Sequence, residues 1–170
     1  TEEDPWGSDF FKERAQRYRQ DMKEQHIKLK RVISGGQDGA DRQGLEEAKA
    51  LGLETGGMCP KNWRTDKGSD PSLKDFGLTC DYSEEYVPRT RSNVRNSDCT
   101  VWFGFTDSPG YFCTKKASRD FNRKVWENPD APTLKLIVES YEIINIAGNR
   151  SRINPNVINL VKDAFKTIGD

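Results

Sequence analysis

Apolar positions in this chain follow two alternating rhythms, one helical and one strand-like. From Ser8, the residues Phe11, Ala15, Tyr18 and Met22 recur at helical spacing among charged neighbours. Ser8 is placed to cap that helix and Asp9 sits in its first turn, where the dipole favours an acid. Residues Thr1 to Gly7 before it read as a flexible lead-in. Arg31-Val32-Ile33-Ser34 is short, β-branched and followed at once by glycines, the pattern of a buried parallel strand. A helix is predicted from Ala40 to Leu51, with Leu45, Ala48 and Leu51 as its buried stripe and Gly52 at its C-terminal end. A second strand falls near Glu54 to Met58, a long polar loop over Pro60 to Ser72, and a short helix over Tyr86 to Asn96.

Cys99 to Phe105 is the strongest strand by composition. A Ser108-Pro109-Gly110 turn follows, then a helix from about Thr114 to Trp126. Thr133 to Val138 reads as another strand, and Glu142 to Ile146 as a short one ending in Ala147-Gly148-Asn149. Pro155 to Ile168 reads as the last helix, with Asn154 as cap and Pro155 at its first position. Strands alternating with helices indicate an α/β sandwich with a largely parallel sheet. The N-terminal helix, residues 1–29, reads as an extension to a domain spanning 30–170, packed on that domain's own core. No internal repeat is evident.

This order changes the meaning of the polar segments. Gly35 to Asp41, Thr106 to Thr114 and Ala147 to Asn154 each follow a predicted strand. Parallel sheets bind ligands at the carboxyl ends of their strands, so the three should converge on one pocket. Gly35, Gly36 and Gly39 let the backbone turn tightly and approach a ligand. The helix start at Ala40 offers outward amides and a positive dipole end, which suit an anion. The segment is neither a Walker A loop nor a G-x-G-x-x-G fingerprint. Asp41 serves as a cap or first-turn acid, or accepts hydrogen bonds from a base or pterin edge. Thr90, Arg91, Asn93 and Arg95 cluster before the Cys99 strand, and Arg91 could grip an oxyanion through two bonds or simply face solvent. Lys115 and Lys116, read as the start of the next helix, oppose its dipole unless an anion lies nearby. Ser108, Gly110 and Thr114 would supply donors to the same anion.

Composition narrows the partners. The chain is 34% hydrophobic and 32% charged, polar for a globular protein, yet its apolar residues cluster in runs, which argues against disorder. Lys plus Arg and Asp plus Glu balance at 27 each, so a nucleic-acid partner is not indicated. No membrane span or signal peptide is evident. Four cysteines stand apart without metal-site spacing, and reduced thiols in a cytoplasmic protein are the simplest reading. The single histidine, His26, lies in a charged stretch and reads as a surface residue. The chain begins at Thr1, which leaves open that it is one domain of something longer.

The order of motifs then becomes informative. Val32-Ile33-Ser34-Gly35-Gly36-Gln37, with Gly39-Ala40-Asp41, comes first. Gly56-Gly57, Cys59-Pro60-Lys61, Thr90, Asn93-Val94, Asn96-Ser97-Asp98, Asn145 and Ala147-Gly148 follow. Together they resemble the molybdenum cofactor carrier family, also described as the circularly permuted YpsA branch of the SLOG superfamily. The resemblance covers about Lys30 to Ile168. It implies a Rossmann-like three-layer sandwich with a pocket at the glycine-rich loops. It implies a small anionic ligand carrying a phosphate, either the molybdenum cofactor (a pterin) or a nucleotide. Gly35, Gly36, Gln37, Gly39, Ala40, Asp41, Lys61, Arg91, Asn93, Ser108, Gly110, Thr114 and Gly148 are the expected ligand-binding residues. No protein-bound metal site and no catalytic residue is expected. Cys59 and Cys113, beside the pocket loops, are either inert or able to contact molybdenum.

The sequence departs from the family at Ser108 to Thr114, where Tyr111 and Phe112 replace small residues. They either narrow the pocket or stack on a flat heterocycle. Asn149 stands where the family tends to have proline, and Arg150 follows it. The primary expectation is a binding protein rather than an enzyme. One alternative is a nucleotide-processing enzyme of the same superfamily, but Ala117 stands where those hydrolases carry a glutamate, and the chemistry needs a carboxylate. The other is a ligand-sensing module of a larger protein. A homo-oligomer assembled through the Phe11 to Tyr18 stripe is the open reading for assembly.

Overall fold

The computed structural model describes residues 8–25 and 27–169. The readings of Thr1 to Gly7 and of His26 lie outside them, as does the side chain of Met22. The elements run α1 (Ser8–Gln25), β1 (Arg31–Ser34), α2 (Ala40–Ala50), β2 (Glu54–Cys59), β3 (Arg64–Thr65), β4 (Gly68–Ser69), β5 (Leu78–Cys80), α3 (Tyr86–Arg95), β6 (Cys99–Phe103), α4 (Pro109–Phe121), β7 (Lys124–Glu127), α5 (Ala131–Ser140), β8 (Ile143–Gly148) and α6 (Val157–Phe165). Six strands form one sheet in the order β5-β2-β1-β8-β6-β7, every pair parallel. The helices fall into two groups: α2, α5 and α6 pack together, and α3 packs on α4. The result is an α/β Rossmann-like sandwich.

The core follows the apolar pattern. All five residues of β6 are buried, as are Val32, Ile33, Ile144 and Ile146 of the neighbouring strands. One face closes on Ala40, Leu134, Ile137, Val161 and Phe165, and Tyr18 of α1 joins the same cluster. Arg14 of α1 donates to the Ala50 carbonyl at 2.5 Å, which ties α1 to the end of α2.

Three expectations are corrected here. Thr133 to Val138 is not a strand but the body of α5. Asp130 caps that helix by accepting from the Thr133 N–H at 2.9 Å, and Pro132 sits in its first turn. Leu134, Ile137 and Val138 then fall on one buried face at helical spacing, while Leu136 is exposed. The helix expected from Thr114 starts earlier, at Pro109. Its Ser108 cap accepts from the Tyr111 N–H at 3.3 Å, and the helix ends in left-handed Asn122. Trp126 therefore belongs to a strand, β7, not to that helix. The α6 helix starts at Val157 rather than Pro155, and Asn154 is a buried residue whose side chain donates to Asn149 at 3.4 Å instead of capping it. The Pro60 to Ser72 loop holds the antiparallel β3–β4 hairpin.

Candidate functional site

The chain starts the sheet at β1, adds β2 and β5 outward, crosses over to β6 and β7, and β8 then fills the gap between β1 and β6. The β1–α2, β6–α4 and β8–α6 loops therefore meet at the carboxyl ends of three adjacent strands. A cavity of about 350 Å³ opens there, and one face of α3 from Tyr86 to Asn93 forms its other wall.

Its floor is built around Asp41. This carboxylate is 3% exposed, and its Oδ2 accepts from Arg89 Nη1 at 3.0 Å and from the Gln37 N–H at 3.3 Å. Burial raises its pKa above the ordinary 3.8, against the pull of Arg89. Gly35 permits this pair: a Cβ there would lie 1.5 Å from Arg89 Nη1. Arg89 and Thr90 share a helix face with Tyr86 and Asn93, at i, i+3, i+4 and i+7, and all four line the cavity. That face is locked by Asn93, whose side chain accepts from the Met58 N–H at 2.8 Å and donates to the Met58 carbonyl at 2.9 Å.

Part of the helix start expected to cradle an anion is engaged within the protein. The Ala40 N–H donates to the Asn149 carbonyl at 3.1 Å, and the Asp38 N–H donates to Gln37 Oε1 at 3.0 Å. Gly39, at φ 104°, presses against Asn149, where a Cβ would come 2.5 Å from the carbonyl oxygen. Gly36, at φ 75°, turns toward Leu73 and Leu78 instead of the cavity. Gln37, Asp41 and Gly35 line the cavity; Gly36, Gly39 and Ala40 do not.

Opposite the floor, Ser108, Gly110 and Thr114 of the β6–α4 segment line the cavity, as does Gly148 at the end of β8. Asn149 ties these loops together. Its N–H donates to the Phe103 carbonyl at 3.1 Å, its Oδ1 accepts from the Phe105 N–H at 2.6 Å, and its Nδ2 donates to Ser108 Oγ at 3.3 Å. A proline here could not donate the first of these bonds.

Arg91 and Lys61 lie outside the cavity. Arg91 points along α4, pairing with Asp120 at 2.9 Å and covering Phe121. Lys61 is exposed, its backbone N–H donating to the Ser83 carbonyl. Lys115 and Lys116 fall in the middle of α4, so the dipole argument does not apply to them. Tyr111 neither narrows the pocket nor stacks in it: it is buried edge-on to Trp102, with its hydroxyl donating to Glu127, and Phe112 is exposed. Trp102 lines the cavity in its place. Cys113 lines it too, its thiol pushed up by burial. Cys59 instead lies in a separate cluster, its Sγ 3.7 Å from that of Cys80 and its pKa raised by burial to about 12.

Sequence reasoning missed Arg89 and Trp102, and named Asn145, Asn149 and Arg150 in its motifs and converging segments without counting them among the ligand-binding residues. The helical spacing from Asn93 back to Arg89 was the available signal. Arg150 stands at the rim, paired with Asp66 at 3.0 Å, and Arg152 grips the same carboxylate at 2.9 Å. Tyr86 lies beneath both cavity arginines, 5.3 Å from Arg89 and 5.2 Å from Arg150. Among the described residues no group of three or more His, Cys, Asp or Glu could hold a metal ion. No helix among them is long and apolar enough to cross a membrane.

No curated protein matches the chain. A crystal structure of a "Putative molybdenum carrier protein" from Syntrophus aciditrophicus SB is similar in fold, with a TM-score of 0.72 and 24% identity over 84% of this chain and 96% of that one. Residues 32–168 match the Circularly permutated YpsA SLOG family, and the chain belongs to that family.

Proposed function

We propose that this member of the circularly permuted YpsA branch is a binding protein for a phosphate-bearing flat heterocycle, the molybdenum cofactor first among them. One observation carries the reading: the cavity pairs flat apolar walls with an uncompensated positive charge at its mouth. Trp102, Pro109, Val87 and Ile153 supply the apolar area. At the rim the single Asp66 carboxylate is shared between Arg150 and Arg152, which leaves one positive charge over for an anion. The N–H groups of Gln37, Asp38 and Ala40 are engaged within the protein, which favours placing the phosphate at Arg150 and at the start of α4 near Gly110. Molybdenum arrives as cargo within its pterin, and the chain's contribution is to hold ring and phosphate and exclude water. Cys113 is the thiol within reach of such cargo.

Native mass spectrometry of protein purified from cells, with elemental analysis for molybdenum, tests this. A retained pterin mass with stoichiometric metal is expected. A retained nucleotide without metal would overturn the carrier assignment.

A second reading, a nucleotide-processing enzyme, draws on one observation. Asp41 is a cavity carboxyl whose pKa is raised, as suits a general acid. Against it, Ala117 is fully buried at the position where the related hydrolases carry glutamate. Release of free base from a nucleoside monophosphate, abolished by Asp41→Asn, would favour the enzyme.

A further inference from the structure

Two residues that line the cavity, Gln37 and Arg89, each carry a buried donor with no partner among the described residues. Gln37 Oε1 accepts from two backbone N–H groups, Asp38 at 3.0 Å and Asp66 at 2.7 Å. This fixes the orientation of the amide: its oxygen is committed to the backbone, and Nε2 is the end left over. That nitrogen is buried and has no hydrogen-bond partner. Arg89 gives Nη1 to Asp41, and its Nε is likewise buried without a partner. Both residues are bonded to the same Asp41 oxygen, Gln37 through its backbone N–H and Arg89 through its guanidinium. Buried polar groups are ordinarily paired, so a ligand that completes this wall must bring acceptors.

Asp41 itself adds the complementary half. It lines the same cavity as Gln37 and Arg89, is bonded to both residues, and when ionised only accepts. Two donors beside one carboxylate match a ring carbonyl next to a ring N–H. An amino-substituted ring inverts both groups, setting an NH₂ against the donors and a bare ring nitrogen against the carboxylate.

We infer that Gln37, Arg89 and Asp41 form a reader for the lactam edge of an oxo-heterocycle, a 6-oxopurine or a 4-oxopterin. The inference rests on the cavity binding a heterocycle at all. The amide orientation is what makes it specific, since an amide free to flip would accept either ring.

Calorimetric titration of the full chain with IMP, AMP and neopterin monophosphate tests it. IMP and AMP differ at this edge alone. IMP is expected to bind at least about tenfold tighter than AMP, because a site built to bond a substrate group strongly rejects the analogue that lacks it. Gln37→Glu keeps an oxygen for the two backbone N–H groups and turns the unpartnered donor into an acceptor. It is expected to erase or reverse the preference. Equal binding of IMP and AMP overturns the lactam reader and leaves the binding protein standing. Preference for the oxopterin over IMP supports the reader and assigns the pterin. Binding of none of the three overturns both readings. If Gln37→Glu fails to fold, the IMP-to-AMP ratio of the unaltered chain decides alone.

Discussion

One carboxylate lines the cavity and another pairs with the cavity's Arg150, each held by arginine, and their pKa values are shifted in opposite directions. Asp41 on the floor is 3% exposed and has one guanidinium, Arg89; its pKa is raised. Asp66 at the rim has two, and the hydrogen bond from Arg152, helped by Arg150, lowers its pKa. The residue pairing is the same in kind, so burial and the number of guanidiniums in direct contact decide the sign. Desolvation outweighs the bonded Arg89 and the more distant Arg150 on the floor; two directly bonded arginines outweigh it at the rim. The floor is therefore a costly arrangement whose geometry matters, and the rim a tolerant one with charge to spare. That division suits a site that reads a ring at its base and an anion at its mouth.

The largest effect should come from breaking the floor pair from its positive side. Arg89→Met strips Asp41 of its counter-ion inside the protein, and removing one partner of a buried pair costs about 3–5 kcal/mol. A fall of that size in urea-unfolding stability is expected. The double variant Asp41→Asn with Arg89→Met should recover a large part of it, because no lone charge then stays buried. Additive losses in the double-mutant cycle would show that the two side chains act independently.

Gly35→Ala attacks the same pair without touching a charge. The new Cβ needs the space of Arg89 Nη1, 1.5 Å away, so the guanidinium must leave Asp41. The expected loss is about 1–3 kcal/mol, the range for overpacking, together with weaker ligand binding. The same change combined with Arg89→Met should be milder than the sum of its parts, since the obstacle is gone. A fully additive cycle would mean that Gly35 is needed for the backbone and not for the arginine.

What could be read in advance follows from how local the determinants are. The strands β1, β6 and β8 and the helices α2 and α3 were legible because their apolar rhythm and their turn residues agree. The run at Thr133 to Val138 misled because its aliphatic composition suits a strand, while its true determinants are the Asp130 cap and the spacing of Leu134, Ile137 and Val138. The meeting of three loops at the strand ends was legible from topology alone. Which arginine enters the cavity was not. The rotation of α3 is fixed by Asn93 bonding to Met58, 35 residues away, and that contact selects Arg89 over Arg91. The closed amides at Ala40 were hidden for the same reason, since their partner Asn149 comes from the far end of the chain.

The smallest effect is the most direct test of the opposed titrations. Folding stability rises with pH where the unfolded chain binds more protons, and falls where the folded chain does. Asp41 has a folded pKa above 3.8, so above that value the folded state carries the cost of the buried charge. Its contribution improves as pH falls from neutrality toward 3.8. Asp66 has a folded pKa below 3.8, so its stabilisation is complete above that value and is lost as pH drops through the lower one. Urea midpoints of the unaltered chain against Asp41→Asn should therefore shift in favour of the unaltered chain between neutrality and pH 4. Against Asp66→Asn they should stay flat over that range and turn against the unaltered chain only below it. Parallel curves for the two variants would mean that burial does not separate floor from rim, and the division of labour in the cavity would have to be redrawn around charge count alone.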